Sequence, residues 1–391
     1  MSASKFIIPS ILKHQYEIGD LAKLGEKAGS KLIGLDVADP YIDTPKYIKE
    51  AMKRALSKRD STHYTRIRGL PDFVESVAEF YGSKFNLKVD PMDQVLSTTG
   101  SGEGLYIIFS SITAEGDEFI VPNPTFPTYA SLIKLHGGVT RYVPLKEDFH
   151  LDIRAIEDAV TNRTKAIVLC TPNNPTGAVY SERELSEVLK IANQRNLLVI
   201  SDENYSQVTY DGKKHVSIAS LPGGLDNTIV VNGLSKVFAM TGWRLGYVIA
   251  RSDFIEHFEK LAYEIRGSVN TAVQYAGAKA LESSAQVVKR IVREYDKNRH
   301  LVFDLLNEAG FKCHLPEGGF EAFPKIPDSF TDSQKFTEFM VEKTGVLIKP
   351  GIYFGPDGKM NFRLVYCRDR KVLRQAIKKM SGAMKKANLP A

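Results

Sequence analysis

The stretch Ser235-Lys236-Val237-Phe238-Ala239-Met240-Thr241-Gly242-Trp243-Arg244 follows closely on the apolar run Thr228-Ile229-Val230-Val231. The run has the length and composition of a buried strand, so Lys236 is expected near the carboxyl end of that strand. Burial and nearby positive charge both disfavour an ammonium ion, and a lysine in such a place can act as a nucleophilic amine or form a Schiff base. An exposed loop lysine is the simpler interpretation of this stretch alone, so the decision depends on the other strand ends.

Three further apolar runs of strand length lead into polar or turn-forming clusters in the same way. The runs are 118–121, 166–169 and 197–200, and the clusters are Pro122-Asn123-Pro124-Thr125-Phe126, Asn173-Asn174-Pro175-Thr176-Gly177 and Asp202-Glu203-Asn204-Tyr205. In open α/β sheets, ligands bind outside the carboxyl ends of the strands. The four strand ends are therefore predicted to line one pocket.

Composition restricts the class of protein. The chain has 391 residues, a length that suits two domains, with 43% hydrophobic and 25% charged residues and a net charge of +6. The charge is scattered, which argues against a nucleic-acid partner, and no apolar run approaches the ~18 residues of a membrane span. Its three cysteines lack a paired C-x-x-C pattern, which is typical of a reducing compartment, so a cytoplasmic location is expected. No metal site is predicted.

Strand and helix patterns alternate to about residue 250, as a mostly parallel α/β sheet requires. Residues 181–194 predict a helix that opens with a capping box at Ser181 and Glu184. Residues 47–80 are predicted to be helical at both ends, with a break at Gly69-Leu70-Pro71. From about residue 281 a long helical pattern (Ser284 to Ala309) and shorter mixed segments indicate a second, smaller domain.

Seven motifs now stand in one order along the chain, and with them the sequence resembles the class I pyridoxal-phosphate-dependent aminotransferases. These enzymes have fold type I and belong to the aspartate aminotransferase superfamily. The motifs are Gly100-Ser101-Gly102-Glu103, Phe126 with Tyr129, Asn173-Asn174-Pro175-Thr176-Gly177, Asp202 with Tyr205, Ser235-Lys236, Thr241-Gly242-Trp243-Arg244, and Arg363. With weaker matches near the N-terminus, the resemblance extends from about residue 36 to residue 366.

The resemblance implies a large cofactor-binding domain over residues 47–280, with a mostly parallel mixed sheet flanked by helices. It implies a smaller α+β domain over residues 1–46 and 281–391. It also implies pyridoxal 5′-phosphate as the cofactor, held by Lys236 as a Schiff base. A homodimer with composite active sites is expected, because Tyr64 matches the tyrosine that reaches the phosphate of the neighbouring subunit. A packed surface aromatic is the alternative for Tyr64.

The phosphate site is predicted at Ser101 and Gly102. A turn of small residues that opens a helix offers free N–H groups and the positive end of the helix dipole to a phosphate. A plain turn is the alternative, since the third glycine of a dinucleotide fingerprint is replaced by Leu105. Arg244 would add a charge-assisted contact, or else form a surface ion pair.

The resemblance implies that four further side chains contact the ring of the cofactor. Asp202 would keep the pyridine nitrogen protonated, so that the ring can take up electrons. Tyr205 and Asn174 would hydrogen-bond the phenolic oxygen, and Phe126 would stack on the ring. Each has a plainer alternative: a helix N-cap for Asp202, ordinary polar satisfaction for Tyr205 and Asn174, and a core position for Phe126.

The substrate contacts are less specific. Arg363 lies between apolar strand neighbours, where a fork-like pairing with the substrate α-carboxylate would meet the needs of a buried guanidinium. A solvent-facing arginine is the alternative. Asn174 and Ala38 are the other expected substrate contacts, and Ala38 stands where the family usually has glycine. Glu321 stands where an aromatic residue is common.

The resemblance implies an aminotransferase that moves an amino group from an L-amino acid to a 2-oxo acid, with 2-oxoglutarate as the expected acceptor and ping-pong kinetics. Aspartate or a related donor is a guess, and three arginines are candidates for a second carboxylate, although each could be a surface or interface residue: Arg66, Arg68 and Arg266. A carbon–sulfur β-lyase with the same cofactor is the first alternative. A cofactor-binding regulatory protein is the second, but no room for a DNA-binding domain is expected before residue 36.

Overall fold

The computed structural model describes residues 32–283 and 285–387. Its main sheet has seven strands, three of them buried along their whole length and three more buried at all but one or two residues. They are β2 (Val95–Thr98), β3 (Glu118–Asn123), β4 (Val139–Pro144), β5 (Thr164–Cys170), β6 (Leu198–Asp202), β7 (Thr228–Gly233) and β8 (Gly246–Ile249).

The strand order across the sheet is β2-β8-β7-β6-β5-β3-β4. The pairs from β4 through β3, β5 and β6 to β7 are parallel. Strand β8 runs antiparallel to both of its neighbours, β7 and β2. Continuous Val, Ile and Leu runs suit strands covered on both faces. The predicted α/β class with a mostly parallel mixed sheet is confirmed.

Helices cover the sheet and connect its strands. Up to residue 281 they are α1 (Lys46–Leu56), α2 (Pro71–Phe85), α3 (Ser101–Ile112), α4 (Thr128–Leu135), α5 (Ile153–Asp158), α6 (Glu182–Arg195), α7 (Gly224–Asn227), α8 (Ser252–Arg266) and α9 (Thr271–Leu281). Helix α6 begins with the predicted capping box, in which Ser181 and Glu184 exchange hydrogen bonds.

The rest of the described chain forms two small sheets and three long helices. Strand β1 (Ile33–Gly34) pairs in parallel with β10 (Val346–Leu347). Strands β11 (Lys349–Pro350), β12 (Phe362–Val365) and β9 (Glu321–Ala322) form an antiparallel sheet in that order. The helices are α10 (Ala285–Glu308), α11 (Ser333–Thr344) and α12 (Arg370–Lys386).

The start of one helix differs from the expected one. The sequence after the Gly100-Ser101-Gly102 turn predicts a helix from Glu103 to Ser111, but helix α3 begins two residues earlier, at Ser101, because Gly100 takes a φ of 87° and lets the helix open directly after it. Helix α10 is described from Ala285, and the expected start at Ser284 lies outside the described residues. The domain limits 47–280 and 1–46 with 281–391 stay a prediction, and residues 1–31, 284 and 388–391 lie outside the description.

Candidate active site

Lys236 lies three residues beyond β7, where the sequence places it. Its side-chain nitrogen donates a hydrogen bond of 2.9 Å to the carbonyl oxygen of Ala38. Burial lowers the pKa of Lys236 below its ordinary value, and the negative charge of Glu321 is the strongest charge effect in the opposite direction. The lysine is therefore a desolvated amine with a lowered pKa, as a nucleophilic amine requires, and Glu321 offsets part of that lowering.

Arg363 comes to the same place from strand β12. Its side chain is 4% exposed, one terminal nitrogen donates 3.2 Å to Asn174 Oδ1, and the other donates to the carbonyl oxygen of Asp36. Its guanidinium lies 5.1 Å from the centre of the Phe354 ring. Within the described residues, Arg363 Nε is buried without a hydrogen-bond partner. A buried cation with an unused donor suits an anionic ligand.

Asp202 ends β6 with a side chain that is 4% exposed. Its Oδ2 accepts a 2.7 Å hydrogen bond from the Tyr129 hydroxyl, and its Oδ1 accepts 2.7 Å from Asn204 Nδ2 and 3.1 Å from Asn204 N. Burial raises the pKa of Asp202, while the bonds from Tyr129 and Asn204 oppose the rise. No helix follows β6 directly in the described chain, so the helix N-cap alternative does not apply.

The Tyr205 hydroxyl hydrogen-bonds the buried carboxylate of Glu321. The second oxygen of Glu321 accepts a 2.9 Å bond from the backbone N–H of Phe320. Lys236 Nζ lies 5.9 Å from the ring centres of both Tyr205 and Phe320. Burial, and then Glu321, raise the pKa of Tyr205 well above its ordinary value, so the hydroxyl keeps its proton. Glu321, which the sequence marks only as a departure from the family, is thus a direct neighbour of the site.

The N-terminus of α3 lies against the guanidinium of Arg244. The guanidinium lies so close to Gly100 that a Cβ there would be 2.6 Å from Arg244 Nη2. The first N–H groups of a helix have no carbonyl partner within the helix. A Cβ at Gly102 would meet no atom within 4 Å, which leaves open space beside these donors. Ser101 follows Gly100 as the first helical residue.

Two further predicted residues are aromatic and differ in burial. Phe126 is partly buried and stands edge-on to Tyr129, with ring centres 5.7 Å apart. Tyr64 is 92% exposed, so the packed surface aromatic alternative is wrong for the single chain.

The three candidate arginines for a second carboxylate have partners within the chain. Arg266 forms a 2.7 Å ion pair with Glu103 and donates to the carbonyl oxygens of Gly267 and Ser97 at 2.7 and 2.6 Å. Arg68 forms ion pairs with Glu259 at 2.7 Å and Asp93 at 3.0 Å.

Arg66 lies 3.6 Å from the Met92 sulfur and keeps an exposed side chain. The ion pairs of Arg68 and Arg266, by contrast, indicate structural roles for these two arginines in the described chain.

These residues fit pyridoxal phosphate. Space beside the N-terminus of α3 and Arg244 suits a phosphate, buried Asp202 suits a cationic ring nitrogen, and partly desolvated Lys236 suits an aldehyde. In the described residues, Asn204 Oδ1 and Arg363 Nε are buried polar atoms without partners, which is common where a ligand belongs.

The sequence did not reveal three of these contacts: Tyr129 to Asp202, Tyr205 to Glu321, and Lys236 to the carbonyl of Ala38. The sequence marks Tyr129 as part of a motif and Glu321 as a departure from one, but it gives neither a role, and it offers no other signal of these contacts. For Ala38 the expectation concerned its extra methyl group, whereas the structure uses its carbonyl oxygen.

Comparison with known proteins identifies the family. The sequence model of the family described as aminotransferase class I and II matches residues 30–380. The chain belongs to the class I and II aminotransferases. Members of this family depend on pyridoxal phosphate, so the protein is a pyridoxal-phosphate-dependent aminotransferase, and the predicted cofactor and enzyme class are confirmed.

The relatives of this aminotransferase differ in the substrate that their names give. Aromatic-amino-acid aminotransferase 2 of Thermococcus litoralis is 37% identical over 362 residues, which cover 92% of this chain and 93% of that protein. An aspartate aminotransferase of Pyrococcus abyssi is 38% identical over 367 residues, which cover 93% and 94%. The solved structure of an alanine aminotransferase from Pyrococcus furiosus has a TM-score of 0.91 at 34% identity and covers 97% of this chain and 100% of that one.

In the described residues, no helix is both long and apolar enough to cross a membrane. No group of three or more His, Cys, Asp or Glu side chains that could hold a metal ion occurs there either.

Proposed function

We propose that Lys236 is the residue that binds the cofactor and moves the proton during transamination between an L-amino acid and a 2-oxo acid. The observation that carries this proposal is that Lys236, in the loop after β7, is buried together with Arg363 of β12 and Asp202 at the end of β6, and the charges of both act on its amine. When bound, pyridoxal phosphate supplies an aldehyde that condenses with amines and a ring that takes up the electrons of a broken Cα–H bond.

The side chains of this enzyme divide the remaining work. Arg363 pairs with the substrate α-carboxylate through its unused edge, and Asn174, which accepts a hydrogen bond from Arg363, holds that guanidinium in place. With substrate and cofactor bound, the Lys236 amine would take the proton from the substrate Cα as general base and return it as general acid. Its lowered pKa favours this role, since a neutral amine is needed.

Four further residues hold the cofactor in this proposal. Ser101 and Gly102, at the N-terminus of α3, bind the phosphate with Arg244. Phe126 packs against the ring, next to Tyr129.

Asp202 stabilises the protonated ring nitrogen, and the bond from Tyr129 keeps its carboxylate oriented. Tyr205 and Asn174 face the phenolic oxygen.

The amino donor is an L-α-amino acid, and 2-oxoglutarate is the proposed acceptor. Aspartate as the donor would need a cation for its second carboxylate. Arg266 does not supply one, because all three of its guanidinium nitrogens contact Glu103, Ser97 or Gly267. Ala38 remains a proposed substrate contact, because its carbonyl oxygen accepts the hydrogen bond from the Lys236 side chain.

The active unit is proposed to be a homodimer in which Tyr64 completes the phosphate site of the partner subunit. Tyr64 is 92% exposed, and Tyr263 and Ile265, near the end of α8, are 63% and 45% exposed. The Thr65 N–H donates 3.3 Å to Ser268 Oγ, which brings the Tyr64 segment beside the end of α8. Such a group of exposed apolar side chains is typical of an interface. A cytoplasmic location is part of the proposal, supported by Cys170, Cys313 and Cys367 being free thiols.

A half-reaction assay tests this function. The enzyme loaded with pyridoxal phosphate is mixed with single amino acids, without any 2-oxo acid, and the absorbance of the aminated cofactor is followed. One turnover per site, reversed by 2-oxoglutarate, supports transamination. Continuous release of ammonia and pyruvate from a cysteine conjugate would instead support the β-lyase.

A further inference from the structure

Glu321 is a buried carboxylate that the established chemistry does not use. Its side chain is 0% exposed, and it stands in strand β9 opposite Val365 of β12, two residues beyond Arg363. One oxygen accepts from the Tyr205 hydroxyl and the other accepts 2.9 Å from the backbone N–H of Phe320. Both of these donors are neutral, so the positive charge that compensates the buried carboxylate must come from groups farther away.

Lys236 is the cation that this carboxylate affects most clearly. Among the charged groups around Lys236, Glu321 most strongly favours the protonated amine, against the burial that lowers the pKa of Lys236. Glu321 therefore influences the site in two ways, through its charge and through the proton of Tyr205.

The influence through Tyr205 follows from the single proton of its hydroxyl group. A tyrosine hydroxyl has one proton and donates it to one acceptor at a time. In this structure the acceptor is Glu321, whereas a hydrogen bond to the phenolic oxygen of the cofactor needs the same proton. Glu321 and that oxygen are thus competitors for one donor.

We propose that Glu321 is a positioning residue that holds the Tyr205 hydroxyl proton away from the cofactor and thereby makes the site keep the proton on the Lys236 nitrogen to a higher pH. The proposal rests on the proposed function, in which Lys236 binds the cofactor and Tyr205 faces its phenolic oxygen. An aromatic residue at position 321 would leave the Tyr205 proton free for the cofactor.

Several other titratable groups lie close enough to Glu321 or Lys236 to interact with their charges. They are Tyr210 from the segment after β6, Tyr366 and Cys367 after β12, Cys170 of β5, Asp202 of β6 and Arg363 of β12. None of these residues is substituted in the variants below, so a difference between the variants reports on Glu321 and Tyr205.

The test is a pH titration of the absorbance of the bound cofactor in the holoenzyme and in E321Q, without substrate. Glutamine keeps the size of the side chain, removes the charge and can donate to the Tyr205 oxygen, which frees the hydroxyl proton. Both changes disfavour the proton on the Lys236 nitrogen, so the midpoint should fall by at least about one pH unit. An unchanged or higher midpoint overturns the proposal.

A matched control separates this effect from the loss of any buried carboxylate. Glu203 is also 0% exposed and accepts a 3.0 Å bond from the Tyr81 hydroxyl, but its contacts do not include Tyr205. E203Q should leave the midpoint near that of the wild type, and circular dichroism checks that each variant is folded. A shift in E203Q as large as that in E321Q would overturn the specific role of Glu321.

Y205F shows whether Glu321 acts through Tyr205. With Glu321 present, removal of the hydroxyl should change the midpoint little, because the cofactor does not receive that proton. In the E321Q background, the same substitution should raise the midpoint again. A strong rise from Y205F alone would show that Tyr205 already donates to the cofactor, which contradicts the proposal even where E321Q does not fold.

The K236A variant separates this inference from the proposed function. If the pH-dependent absorbance survives in K236A, the assignment of Lys236 fails. If it depends on Lys236 but E321Q leaves the midpoint unchanged, only the role of Glu321 fails.

Discussion

The side-chain nitrogen of Lys236 donates its hydrogen bond to the carbonyl oxygen of Ala38, 198 residues away in the chain. Two more bonds join the same segments: Thr44 Oγ1 to the Ala239 carbonyl and Thr241 Oγ1 to Asp39, both 2.6 Å. The segment before α1 is thus tied to the loop of Lys236. Because Arg363 also donates to the carbonyl of Asp36, this segment links the amine to the proposed carboxylate site.

Asp202→Ala should retain some cofactor but lose turnover by on the order of a hundredfold or more, as expected for a lost electrostatic contact. The loss follows because a carboxylate is needed opposite a cationic ring nitrogen. Asp202→Asn is the matched variant, since it keeps an acceptor for Tyr129 but no charge. The measurement is the single-turnover rate at full cofactor loading. Near-normal rates in both loaded variants would remove Asp202 from the mechanism.

Arg363→Ala should lower kcat/KM for every amino donor alike, by on the order of a hundredfold or more, because it leaves a substrate carboxylate without its buried partner. Arg363→Lys should recover only part of the loss, since an ammonium cannot form the bidentate fork. A good donor that Arg363→Ala leaves unaffected would disprove the anchoring role.

Arg266→Ala serves as the contrasting variant to Arg363→Ala. It should destabilise the fold, through loss of the contacts to Glu103 and Ser97, and change acidic and apolar donors equally. A selective loss of aspartate or glutamate would instead restore Arg266 as the distal carboxylate site.

His150 should make stability depend on pH. Hydrogen bonds from its ring to Glu184 and then Glu317 raise the pKa of His150 from an ordinary 6.5 to about 10. A raised folded-state pKa gives stability that is fully present below about pH 6.5 and is lost as the pH rises through 10. Against the opposing effect of burial, hydrogen bonds from His150, together with Ser181 for Glu184 and Lys213 for Glu317, lower the pKa of both carboxylates to about 2, so their stabilisation is lost only in acid.

His150→Gln should therefore lower the Tm clearly at pH values near 6 and little near 10, the folded-state pKa of this histidine. The exposed His257→Gln is the control and should change the Tm little at either pH. An equal loss in Tm for His150→Gln at both ends of this range would contradict the linkage.

Tyr64→Ala should reduce cofactor affinity while leaving the single chain folded, because the 92% exposed side chain contributes nothing to its core. Sedimentation of the wild type should show a dimer. A fully active wild-type monomer would rule out the composite site. Tyr106→Ala, on a side chain that is 37% exposed in α3, is a comparison for the loss of any surface tyrosine.

The sequence predicted the parts of this structure that depend on local pattern. Runs such as Thr228 to Val231 must be buried strands, and Ser181 with Glu184 marks a helix start, because neighbouring residues determine both. The site residues Lys236, Asp202 and Arg363 were predicted because each follows or lies within such a run and matches a family motif.

Contacts between distant segments were not predictable in this way. Tyr205 and Glu321 are 116 residues apart, and no periodicity encodes which side chains will meet across a folded chain. Two of the three arginines proposed for a second carboxylate illustrate the same limit, since the ion-pair partners of Arg68 and Arg266 come from other elements.

Borohydride reduction of the holoenzyme, followed by peptide mass mapping, tests the central claim most directly. Reduction makes the bond between the cofactor and its lysine permanent, so the modified peptide identifies the residue. The account predicts a single cofactor adduct, on Lys236. An adduct on any other lysine would contradict it.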